Sequence, residues 1–163
     1  MDWTALHPGL ALAPFLILLL FGAHAKADYG QQSAYMAEFK VRPTEASARR
    51  LGPDGEFVSP VVVPRNPDWF VTLGAHCLIH AISVAVIAFA YLFVWDLAVS
   101  GVSIDATMVV SAASAAALLG WLEFVLHFFI DDCKGQQLFS YRTDQALHYL
   151  CKLGWAAVIL AIA

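Results

Sequence analysis

The chain has 163 residues, of which 60% are hydrophobic and only 13% are charged. A soluble domain is typically about half apolar and about a quarter charged, so this composition excludes an ordinary soluble protein. The net charge of −4 comes from scattered carboxylates without a basic groove, so we expect no nucleic-acid partner.

Four hydrophobic stretches are each long enough to cross about 30 Å of hydrocarbon as a helix. They cover residues 8–28, 70–95, 106–130 and 145–163, with approximate boundaries. We therefore predict an all-α, polytopic membrane protein, with residues 1–163 forming a single membrane domain. Its architecture would be a four-transmembrane-helix bundle.

The distribution of charge predicts how these spans are oriented. All nine basic residues lie within 26–65 or 134–152, whereas residues 96–105 contain two acids and no base. By the positive-inside rule, the first and third loops are cytoplasmic and both termini lie outside an inner (cytoplasmic) membrane. The first stretch ends in a signal-like Ala23-His24-Ala25, but no basic residue precedes it, which favours a retained span.

Two segments separate the first and second spans. Residues 29–40 have apolar side chains at spacings that predict a short helix at the membrane interface. Residues 41–68 hold five of the seven prolines and show no sustained period, which predicts a cytoplasmic loop.

The third span carries a run of small residues from Ser111 to Ala117, followed by Gly120. Small side chains let helix backbones approach closely in lipid, so this helix is expected to be central. The same face could support a homo-oligomer. The short connection after this span predicts an antiparallel hairpin with the fourth.

Five of the six histidines lie inside predicted spans, and all belong to pairs of potential ligands spaced four residues apart. Residues at this spacing share one face of a helix. The pairs are His24 with Asp28, His76 with His80, His127 with Asp131, and Asp144 with His148.

The predicted topology brings all four pairs to the cytoplasmic end of the bundle, in two levels. The deeper level contains His24, His80, His127 and His148. The level one turn nearer the cytoplasm contains Asp28, His76, Asp131 and Asp144. The pattern also repeats approximately in the two halves of the chain.

Ionisable side chains within a membrane must pair, bind a cation or line water. Imidazole and carboxylate groups suit zinc most, or iron or manganese. The predicted metal ligands are His24, His76, His80, His127, Asp131 and His148. This set leaves open one ion or two.

Other polar residues receive supporting roles in this prediction. Asp28 and Asp144 are candidate general bases, although Asp144 is also a candidate helix cap. Gln32, Lys134 and Gln145 would orient the ligands. Glu123 and Lys152 are expected to extend toward the lipid headgroups.

These motifs, in order H-x3-D, H-x3-H, H-x3-D and DQ-x2-H, resemble a bacterial and phage inner-membrane family known only as a domain of unknown function. The resemblance spans nearly the whole chain outside residues 41–68 and implies no activity. The layout is also loosely similar to small membrane-bound metal-dependent hydrolases.

Three functions follow as hypotheses. The first is a metal-dependent hydrolase of a lipid or membrane-associated substrate, in which the metal activates water. The second is a transporter of metal ions or protons, because His and Asp one turn apart also suit a relay. The third is a small structural or interaction protein without catalysis.

Overall fold

The computed structural model describes residues 12–48, 66–100 and 105–163, and all regular structure within these ranges is helical. The all-α prediction is therefore confirmed for these ranges. A π-helical turn, Ala27–Gln31, continues the first helix. The helices are α1 (Ala13–Lys26), α2 (Ala34–Phe39), α3 (Glu45–Ala48), α4 (Trp69–Ser100), α5 (Ala106–Gly135) and α6 (Tyr141–Ile162).

Among the described residues, three helical segments are long and apolar enough to cross a membrane. They are Trp69–Leu97, Ala106–Gly135 and Tyr141–Ile162. They indicate a membrane protein. The described part of α1 has 14 residues, which gives a length of about 21 Å. The predicted start of that span, at residue 8, lies outside the described residues, so the count of four spans stays a prediction.

The helices extend beyond the predicted apolar stretches. α5 continues to Gly135 instead of ending near residue 130, and α6 begins at Tyr141 instead of residue 145. Ser140 caps α6 by accepting a hydrogen bond from the backbone N–H of Thr143 at 3.2 Å. Hydropathy locates the apolar part of a helix, whereas the cap decides where its backbone begins.

The segment after α1 is less regular than predicted. A helix was expected over residues 29–40, but Gln32 and Ser33 are extended and separate α1 and its π-helical turn from α2. Ser33 then caps α2 through the N–H of Met36 at 3.0 Å. The interfacial position of α2 stays a prediction.

The predicted loop over residues 41–68 also departs from expectation in part. It contains the single helical turn α3, and residues 49–65 lie outside the described ranges. Asn66 ties the end of this segment back to α2, because its side-chain amide donates to the carbonyl of Phe39 at 2.8 Å.

α4 and α5 pack closely at Gly120. A Cβ atom added at Gly120 would lie 3.0 Å from both the carbonyl oxygen of Ala81 and the Cβ of Ala85. Ala112 and Ala116, on the same face of α5, are also buried. The small residues therefore serve packing inside the bundle, and self-association through the exposed remainder of this stretch stays a prediction.

We expect Gly120→Ala to destabilise the protein by about 1–3 kcal/mol, because α4 backbone must move to admit the methyl group. Gly154→Ala in α6 is a matched control, since nothing lies within 4 Å of its added Cβ. Thermal unfolding of both variants in detergent measures the difference. Equal unfolding temperatures for the two variants would contradict close α4–α5 packing at this position.

The bundle has an apolar end and a polar end. A cluster of buried hydrophobic residues fills the apolar end: Leu16, Leu20, Val84, Ala88, Leu92, Ala112, Ala116, Leu119, Trp155, Ala156 and Ile159. The polar end lies where α1 and α5 finish and where α4 and α6 begin. The polar residues of all four helices meet there.

Candidate metal centre

All four predicted His/Asp pairs come together at the polar end. Seven of the eight side chains are buried, and the side chain of Asp28 is 13% exposed. The seven are His24, His76, His80, His127, Asp131, Asp144 and His148. The i, i+4 spacing on each helix turns every pair toward the same interior.

The deeper level consists of four imidazole rings, one from each helix. The rings of His80 and His127 stack with centroids 3.8 Å apart, and those of His127 and His148 with centroids 4.0 Å apart. His24 completes the level, because its Nδ1 lies 3.2 Å from Nδ1 of His80. This arrangement leaves His127 in the middle of the group.

The second level lies one turn nearer the helix ends and contains Asp28, His76, Asp131 and Asp144. His76 connects the two halves of the chain at this level. Oδ1 of Asp28 lies 3.1 Å from Nε2 of His80 and 3.4 Å from Nε2 of His76. The same His76 nitrogen lies 3.4 Å from Oδ2 of Asp131. Two carboxylates from different helices thus approach one imidazole nitrogen.

Asp131 and Asp144 both approach His148. Nε2 of His148 lies 3.1 Å from Oδ1 of Asp131 and 3.4 Å from Oδ1 of Asp144. Gln145 connects this half to the other, since its side-chain amide donates to Asp28 at 3.3 Å and to Asp144 at 3.2 Å. Gln145 therefore contacts both candidate general bases.

Two groups of these side chains could hold a metal ion. Within each group, the ligand atoms lie within 4.8 Å of one another. Zinc ligands bind at about 2.0–2.2 Å, so ligand atoms in a tetrahedral site are roughly 3.4 Å apart. The first group is Asp28, His76, His80 and His127, and the second is His127, Asp131 and His148.

Several buried atoms of the four pairs have no hydrogen-bond partner among the described residues. They are Nε2 of His24, both ring nitrogens of His76, Nε2 of His127 and Oδ1 of Asp144. Buried polar atoms in folded proteins nearly always have a partner. A neutral imidazole has one N–H and one nitrogen lone pair, and a lone pair without a hydrogen-bond partner is free to bind a cation.

Glu123 and Lys152 do not extend toward the headgroups, so that expectation is wrong. Both are 1% exposed, and Nζ of Lys152 donates to Oε1 of Glu123. Oε2 of Glu123 accepts from the indole N–H of Trp155 at 2.6 Å, and Oε1 lies 3.1 Å from Nδ1 of His127. The sequence does contain a signal for this burial, because Glu123 and Lys152 continue the four-residue spacing of His127 and His148.

A further contact comes from the segment after α1. Nζ of Lys40 donates to Oδ2 of Asp131 at 2.7 Å. The guanidinium of Arg42 binds both carboxylate oxygens of the next residue, Asp132, which is partly buried. The two neighbouring aspartates bind different partners because Asp132 lies about 100° round the helix from Asp131. The α2 segment is thereby attached to the end of α5.

Two of the predicted orienting residues are not brought to the cluster. The side chains of Gln32 and Lys134 form no hydrogen bond or ion pair with any other described residue. Gln32 follows the π-helical turn with an extended backbone, so it is no longer part of the helix that carries Asp28. Gln145 alone of the three contacts the cluster.

No protein-family model, curated protein or solved structure matches this chain in the comparisons made with each. The resemblance noted in the sequence therefore stays a prediction. The function must be argued from the geometry of the polar end.

Proposed function

We propose that this chain is a membrane protein that binds a divalent metal at its polar end and uses it to hydrolyse a lipid or membrane-associated substrate. Zinc is the ion that we expect, with iron or manganese as alternatives of similar ligand preference. The proposal includes an inner-membrane location, with the polar end toward the cytoplasm and both termini outside.

The observation that carries the metal site is the position of His127. Its Nδ1 lies 3.1 Å from the Glu123 carboxylate, while its buried Nε2 has no hydrogen-bond partner in the described residues. Metal-binding histidines commonly donate one ring N–H to a carboxylate and ligate with the other nitrogen. His127 is also the residue that both candidate ligand groups share.

The same geometry supports different roles for the two candidate bases. Both oxygens of Asp28 approach other cluster residues, which favours a ligand role. Oδ1 of Asp144 is buried, has no hydrogen-bond partner among the described residues, and lies 3.4 Å from Nε2 of His148. Asp144 is therefore the better candidate to accept a proton from water, whose pKa a bound metal lowers.

The apolar end supports hydrolysis over transport. Beyond Glu123 and Lys152, the described interior continues as buried hydrophobic side chains, including Leu16, Ala88 and Ile159. An ion or proton pathway across the bilayer needs polar groups or water along its length. Several buried ring nitrogens of the cluster form no hydrogen bond with any described residue, which favours a ligand-binding role over a purely structural one.

The test is elemental analysis of the purified protein beside a His127→Ala/His148→Ala variant, both without a metal-binding affinity tag. We expect stoichiometric metal in the wild type and its loss in the variant, because the change removes two of the three ligands in one group. An Asp132→Asn control lies outside both groups and should keep its metal. A wild type free of metal after loading with zinc, iron or manganese would refute the proposal.

A further inference from the structure

The polar cluster has two halves, the first on α1 and α4 and the second on α5 and α6. One turn deeper in the bundle, the two halves carry different kinds of residue. In the second half, Glu123 precedes His127 by four residues and Lys152 follows His148 by four. The corresponding positions in the first half, four residues before His24 and four after His80, are Leu20 and Val84. Leu20 and Val84 are fully buried and apolar, so the fold accepts hydrophobic residues at this depth.

The Glu123 carboxylate has three polar partners among the described residues. Lys152 and His127 approach Oε1, and the Trp155 indole donates to Oε2. Lys152 and Trp155 can only donate, so Glu123 acts as an acceptor on both oxygens. Oε1 of Glu123 is therefore also an acceptor toward His127. The proton that these two groups share must then lie on Nδ1 of His127.

We infer that Glu123, held by Lys152 and Trp155, is a positioning residue that fixes the tautomer and orientation of His127. This inference rests on the proposed metal site and identifies what prepares its shared ligand. A neutral imidazole that carries its proton on Nδ1 presents the Nε2 lone pair. His127 is the residue that both candidate ligand groups share.

The energetics favour a functional reason for this ion pair. Replacing a buried ion pair with hydrophobic residues of similar volume is often neutral or stabilising, because desolvating two charges is costly. The first half already has such residues at the equivalent positions. Stability alone therefore gives little reason for Glu123 and Lys152, whereas orientation of His127 requires an acceptor at this point.

The first test is the tautomer of His127 in the metal-free wild type, measured by ¹⁵N NMR of histidine-labelled protein in nanodiscs. The His127 signals are assigned by their disappearance in His127→Ala. We expect protonated Nδ1 and unprotonated Nε2. The opposite tautomer would overturn the inference, and this result does not depend on whether the protein binds metal.

The second test is metal affinity in Glu123→Leu/Lys152→Leu, which copies the apolar character of the first half. We expect a folded protein that binds zinc about 10- to 100-fold more weakly in chelator competition, because loss of such a partner typically has this effect. Glu123→Gln/Lys152→Met keeps an acceptor for Nδ1 of His127 and should recover most of the affinity.

The outcomes separate the inference from the proposed function. Wild-type affinity in the leucine variant, or an equally weak affinity in the glutamine variant, would overturn the positioning role while the metal site stands. A wild type without metal but with the expected tautomer would overturn the metal-dependent function, and the arrangement of His127 would remain.

Discussion

Lys152→Met is expected to destabilise the protein by about 3–5 kcal/mol, because it leaves the buried Glu123 carboxylate without its cationic partner. Glu123 is 1% exposed, so water cannot solvate the remaining charge. The hydrogen bonds from Trp155 and His127 stay but bring no compensating charge. Reversible denaturation in mixed micelles measures the free energy of unfolding.

Lys134→Met is the matched control for this experiment. It makes the same chemical change at a partly exposed lysine that has no ion pair with the other described residues, so little change in stability is expected. Glu123→Leu/Lys152→Leu should recover most of the stability lost in Lys152→Met. Similar stabilities for Lys152→Met and Lys134→Met would contradict a buried ion pair.

Much of the polar cluster was predictable from helical spacing. The two members of each pair lie four residues apart. Four apolar helices can bury such pairs only by turning them toward one another. The structure brings together the eight residues chosen in this way. The two levels also follow from simple counting, because residues at the same distance from the helix ends lie at the same depth.

The errors at this end have identifiable physical causes. Lys152 and Glu123 were assigned to the headgroups because a long side chain near a helix end can extend to water. The four-residue spacing from His127 and His148, however, places Glu123 and Lys152 on the interior face of their helices. A buried pair can be recognised only when both helices are considered together.

Other features of the site depend on contacts that no local pattern contains. The contact between Lys40 and Asp131 spans 91 residues and depends on the break at Gln32 and Ser33, which redirects the chain after α1. Hydropathy does not predict where a π-helical turn ends, so it could not show that the backbone becomes extended at Gln32. Tertiary packing decides both points.

Asp144→Asn is expected to slow hydrolysis by about 10²- to 10⁴-fold while metal content stays unchanged, because general-base catalysis typically contributes this much. The substitution preserves shape, and the amide can still accept the hydrogen bond from Gln145. It removes the basicity of Oδ1, a buried oxygen that has no hydrogen-bond partner among the described residues. The assay uses zinc-loaded protein in nanodiscs of bacterial polar lipids, with products quantified by mass spectrometry.

Asp132→Asn provides the control for the Asp144 experiment. Asp132 is also a carboxylate at the polar end, but Arg42 holds it outside the cluster, so its neutralisation should leave the rate unchanged. Loss of metal in Asp144→Asn would instead assign Asp144 a ligand role. Metal-loaded wild type without lipid turnover would contradict lipid hydrolysis, whereas wild-type turnover in Asp144→Asn would exclude Asp144 as the base, because an amide cannot accept the proton from water.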